Sequence, residues 1–63
     1  MNRITLRAAR VNAGMSRKQA AAKINISAWT LMNYENGKTY PDVPVIKRIE
    51  ETYGVKFEDI VFT

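Results

Sequence analysis

The stretch from Met15 to Tyr40, MSRKQAAAKINISAWTLMNYENGKTY, decides how the rest of the chain must be arranged. Ser16 opens a Ser-x-x-Gln capping box, in which its hydroxyl accepts from the Gln19 amide and the Gln19 side chain reaches back. A helix therefore starts at Ser16 and runs to about Lys23. Ala20-Ala21-Ala22 gives it high helix propensity and almost no bulk, which predicts a tight crossing with another helix. Ile24-Asn25-Ile26 is too brief to be an element of its own. Asn25 tolerates a left-handed turn better than other non-glycine residues, and Ser27 supplies the cap of a second helix over Ala28 to Glu35. Leu31 and Tyr34 share one face of that helix, while Ala28, Trp29, Met32 and Asn33 take the other positions. Asn36-Gly37 stops it, and Lys38-Thr39-Tyr40-Pro41 forms a polar loop.

Both flanks read as helical support. Upstream, Leu6, Ala9 and Ala13 recur at steps of three and four, predicting a helix from about Arg3 to Ala13 with Asn2 as its cap and Gly14 closing it in a left-handed conformation. Arg10 lies closest to the apolar stripe and is expected to be partly buried. Downstream, a helix opens at Asp42 or Val43 with Pro44 in its first turn, where a missing amide costs nothing. Val45, Ile46, Ile49 and Tyr53 line its buried face and Gly54 ends it. A last helical turn is expected within Phe57–Val61. Five short helices, no convincing strand, no repeat and no linker predict an all-α fold in one domain spanning 1–63.

With 63 residues the chain has one small core, and a domain of this size buries only about 60% of the surface its unfolded chain exposes. There is no cysteine and no histidine, which removes disulfides, thiolate metal sites and the commonest general base. Glu50 and Glu51 are adjacent on a helix and point apart, so no paired carboxylates emerge. These features weigh against an enzyme, a metal site or a cofactor. No apolar run approaches a membrane span and no signal-peptide core follows the N-terminus, so a cytoplasmic protein is expected. The net charge is +4, which suits a polyanionic partner. Residues 1–23 carry six cations and no acid, whereas 41–63 carry three cations against five acids. Two short helices joined by a turn of three or four residues have the geometry that lays one helix in the major groove of DNA.

The residues Ser16-Arg17-Lys18-Gln19-Ala20-Ala21, the Ile24-x-Ile26-Ser27 turn, and Tyr34-Glu35-Asn36-Gly37-Lys38 with Pro41 resemble the Cro and lambdoid phage repressor family, the XRE-type helix-turn-helix. The likeness runs from Leu6 to Ile60. It implies a compact five-helix, lambda-repressor-like DNA-binding domain whose second and third helices form the helix-turn-helix. It further implies an ion pair between Arg10 and Glu35. Arg17, Ala28, Trp29 and Asn33 would serve base readout, with a phosphate as the alternative, and the favoured one, for Arg17. Asn33 has the paired donor and acceptor that suit adenine, and Ala28 can pack on a thymine methyl. Trp29 stands where the family places a polar reader; it can touch thymine methyls or sugars, or lie against the core or a protein partner. Phosphates would be held by Ser16, Lys18, Ser27, Thr30, Asn36, Lys38, Thr39 and Tyr40, around the helix N-terminus and the loop.

The chain departs from the family at three places. Ala20 replaces a large aliphatic, with Met15, Met32 or Trp29 available to fill the space. Asn25 replaces glycine in the turn, and Lys56 replaces a Ser or Thr cap. The implied function is a sequence-specific, double-stranded DNA-binding regulator, a phage or mobile-element repressor occupying an operator in the nucleoid of a bacterial host cell. It would act as a homodimer without cofactor or small-molecule ligand. Phe57, Val61 and Phe62 offer a dimer surface or core, with core favoured for Phe57. The alternative is a protein-interaction module on the same fold, an antitoxin or antirepressor, and Trp29 is the residue that favours it.

Overall fold

The computed structural model describes residues 3–62. Along them run a short strand β1 (Ile4–Thr5), the helices α1 (Leu6–Asn12), α2 (Arg17–Ile24), α3 (Ala28–Glu35) and α4 (Val43–Tyr53), a 3₁₀ turn at Phe57–Asp59, and a second strand β2 (Ile60–Val61). The expected helices two, three and four are present with nearly the expected bounds. The fold is thus helical, but two expectations change. Among the described residues there are four α-helices, not five, because the last turn is 3₁₀ and gives way at once to β2. The chain ends also pair: β1 and β2 are parallel, with Ile4 opposite Ile60 and Thr5 opposite Val61. Two-residue strands carry no alternation that a sequence could display.

This pairing also explains why α1 starts at Leu6 and not at Arg3. Thr5 is extended, at φ −69° and ψ 155°, and its side chain accepts from the Ala8 amide. Thr5 is therefore the cap; Asn2, expected in that role, lies outside the described residues. The other caps follow the sequence. Both halves of the Ser16–Gln19 box form, at 3.1 and 2.9 Å. Asp42 accepts from the Val45 amide at 3.2 Å. Gly14 and Gly54 take positive φ at the ends of α1 and α4.

The core gathers Leu6 and Ala9 from α1, Ala20, Ala21 and Ile24 from α2, Leu31 and Tyr34 from α3, Val45, Ile49 and Tyr53 from α4, and Ile60 from β2. Leu6, Ile24, Leu31 and Ile49 are fully buried, each contributing about 1.5–3 kcal/mol of apolar burial. Ile46, expected on the buried face of α4, is only half-buried. Ala20 and Ala21 are sealed between α2 and its neighbours, as the tight crossing requires. Met15 packs against this core, whereas Trp29 is exposed and fills no space beside Ala20. Among the described residues no helix is long and apolar enough to cross a membrane.

Candidate nucleic-acid interface

Three residues, Asn25-Ile26-Ser27, separate α2 from α3. Asn25 is left-handed at φ 67° and ψ 45°, and the Ile26 amide donates back to the Ala21 carbonyl at 2.9 Å. Ser27 accepts from the Thr30 amide at 3.0 Å and donates to the Thr30 hydroxyl at 2.8 Å. The turn is held from across the domain as well. Arg48 of α4 donates its Nε to the Ile24 carbonyl at 2.7 Å, satisfying the end of α2. No local pattern announces that bond, because its partners lie 24 residues apart.

The far end of α3 is fixed by charge. Glu35, whose side chain is 2% exposed, receives Arg10 Nε at 2.7 Å. It also receives Arg17 Nη2 at 3.3 Å. Arg10 donates a further bond to the Met15 carbonyl at 3.1 Å. The expected Arg10–Glu35 pair is therefore present, within a triad that ties α1, α2 and α3 together. Arg17 was expected at a base or a phosphate; it stays 38% exposed but leans onto Glu35. No local pattern announces this contact, because the two residues lie 18 positions apart.

Exposure sorts the other candidates. Ser16, Lys18, Ser27, Asn36, Lys38 and Thr39 are exposed, and Ala28 and Thr30 half-buried. Trp29 and Tyr40 stand out at 68% and 67% exposed. Asn33 is the misfit. Expected to meet base edges, it is 7% exposed. The chain after α3 doubles back so that the Lys38 amide donates to the Asn33 carbonyl at 2.9 Å. The same fold-back turns the amides of Asn36, Gly37 and Lys38 onto α3 carbonyls. Those three amides are therefore already engaged, while the side chains of Asn36, Lys38 and Thr39 stay exposed. At α2 the Ser16 hydroxyl and amide are both engaged with Gln19, which leaves the Arg17 and Lys18 amides to face an anion at the positive end of the helix. Sequence reasoning missed Met32, which is half-buried one turn after Trp29.

The two aromatics near the C-terminus behave in the opposite sense to expectation. Phe57, expected in the core, is 43% exposed, while Phe62 packs against the core. Phe62 makes an edge contact with Tyr40 at 5.9 Å and a tilted one with Phe57 at 5.7 Å. Tyr40, expected at a phosphate, therefore lies against an aromatic cluster.

The helix-turn-helix family profile matches residues 6–60. The chain belongs to the helix-turn-helix family. By that match it is of the XRE type. Over 54 residues, or 86% of this chain, it is 35% identical to "Multiprotein-bridging factor 1c" of Arabidopsis thaliana. The match covers 36% of that protein's length, so the chain spans about a third of its relative. No solved structure gives a significant match.

Proposed function

We propose that this helix-turn-helix domain is a sequence-specific repressor of phage or mobile-element type, laying α3 into the major groove of operator DNA in the cytoplasm of a bacterial cell. It acts by occupancy, without catalysis, cofactor or small-molecule ligand. The observation that carries the reading is the frame around α3: a capped start at Ser27, a left-handed Asn25 turn onto α2, and a buried Glu35 clamped by two arginines. That frame fixes the axis of α3 while leaving Trp29 outside. Lys18 and Lys38 supply phosphate contacts. A homodimer would place two copies of α3 roughly 34–36 Å apart on successive half-sites, and the Tyr40–Phe62–Phe57 cluster offers apolar area for the contact.

Fluorescence anisotropy with genomic DNA fragments tests this over a range of salt. Phosphate neutralisation predicts log K falling linearly with log salt, and Lys38→Ala should lower the slope by about one contact. Absence of binding to any duplex at low salt would reject the proposal.

A second reading has its own support. The Arabidopsis relative carries the name of a protein-bridging factor, and an exposed tryptophan beside an aromatic cluster suits a protein partner. Under that reading, an antitoxin or antirepressor module would bind its partner with little dependence on salt.

A further inference from the structure

The outward side of α3 carries no charge. Glu35, its one ionisable side chain apart from Tyr34, is sealed behind Arg10 and Arg17. Asn33 is turned in. What faces out is Trp29, followed at three and seven residues by half-buried Met32 and exposed Asn36, with half-buried Ala28 beside them. Guanine is selected by an arginine or lysine fork and adenine by a carboxamide. Within the first two turns of α3 no such group is exposed, and an indole has a single donor that cannot make a paired bond. The apolar feature a major groove presents is the C5-methyl of a pyrimidine. A large flat side chain and a flexible thioether one turn apart are suited to covering such methyls.

We infer that Trp29, supported by Met32, selects pyrimidine C5-methyl groups in the major groove, an assignment that rests on the DNA-binding role proposed above and names the base chemistry it reads. Base preference is then set by apolar contact, and the polar side chains Arg17, Asn36 and Lys38 position the domain on the backbone. Thymine and 5-methylcytosine both carry the group. Burying one methyl is worth about a fourfold change in affinity, and two neighbouring methyls about tenfold or more.

The experiment starts from duplexes enriched on the protein from a random-sequence library. Each is resynthesised with deoxyuridine for thymidine, and separately with 5-methylcytosine for cytosine. Trp29 is the chain's single tryptophan, so its emission reports the contact directly. Uracil replacement should weaken binding roughly fourfold to tenfold without changing the salt slope. Trp29 emission should shift to the blue and resist acrylamide on the thymine duplex. Trp29→Ala, an exposed substitution that should leave Tm unchanged, should bind thymine and uracil duplexes equally. A gain on methylating cytosine with no loss on uracil replacement would keep the inference and make 5-methylcytosine the source. Equal affinity for all three duplexes overturns it while DNA binding stands. Failure to enrich or bind any duplex at low salt removes DNA binding itself and this inference with it.

Discussion

Between Ser16 and Lys38, the backbone is held mostly by bonds that reach three to five residues along the chain, the Arg48 bond to Ile24 apart, whereas Ile4 meets Ile60 and Thr5 meets Val61 across almost its whole length. The first region is built from caps and turns, each closing a small loop at little entropic cost. The second must hold the two ends together, and loop-closure entropy rises with the length enclosed. Ile60 is buried in the core that the helices form, which helps to hold the ends together. One side-chain group crosses between the two modes. Glu35 belongs to the local region by position, yet its partner Arg10 sits on α1, which continues directly from β1.

The largest effect should therefore come from Glu35→Ala. It strands the buried guanidinium of Arg10, which is 8% exposed, and an unpaired buried charge costs about 3–5 kcal/mol. In a domain this small that is most of the stability, so thermal melting should show a largely unfolded chain at room temperature. Replacing both partners with apolar residues, Arg10→Met with Glu35→Leu, should recover much of the loss. If Glu35→Ala melts within a few degrees of the parent, the triad does not join the two regions.

Next in size is Ile60→Ala, which removes the side chain that seats β2. Truncating a buried isoleucine costs about 2–5 kcal/mol; at 8% exposed beside the chain end, Ile60 should fall at the low side of that range. Hydrogen exchange would show whether the loss is confined. Amides of β1 and β2 should lose protection first, with those of α2 and α3 retained. Uniform loss everywhere would mean that the end pairing and the helix-turn-helix unfold as one unit.

The contrast also accounts for what could be read in advance. Ser16, Ser27, Asn25 and Gly54 announce their roles through local chemistry, and the bounds of α2, α3 and α4 followed from them. The Arg10–Glu35 pair came from resemblance, not from spacing. What stayed hidden was long-range. The β1–β2 pairing, the Arg48 bond to Ile24 and the lean of Arg17 onto Glu35 join residues that no window of sequence contains together. Asn33 was misplaced for a related reason: on a bare helix it shares the outer side with Trp29, and its burial appears only in the folded chain.

Local bonds should be individually cheap. Ser16→Ala removes the acceptor for the Gln19 amide and should cost about 1 kcal/mol, the usual loss for a helix cap. The Gln19 bond to the Ser16 amide keeps half of the box. Denaturant midpoints would resolve a change of this size, and a loss above about 2 kcal/mol would exceed what a single cap supplies.

The smallest expected effect has the opposite sign. Tyr53 ends α4 in the core at 8% exposed, and its hydroxyl has no hydrogen-bond partner among the described residues. Its pKa is pushed up to about 12, chiefly because burial disfavours the phenolate; the Glu35 carboxylate raises it further and Arg10 opposes. The site therefore feels the same ion pair that joins the two regions. A proton held more tightly in the folded state than at the unfolded value of 10 contributes stability below pH 10. That contribution is lost as pH climbs from 10 toward 12. Tyr53→Phe deletes both the unpartnered hydroxyl and the titration. It should raise stability at pH 7 by up to about 1 kcal/mol, since an unsatisfied buried polar group carries a desolvation cost of about that order. The variant's advantage should then widen between pH 10 and 12, where release of this proton favours unfolding of the parent alone. Chemical denaturation of both forms at pH 7, 10 and 11.5 measures it. A variant less stable than the parent at pH 7 would mean that the hydroxyl has found a partner, and the ion pair beneath α4 is the first place to look for it.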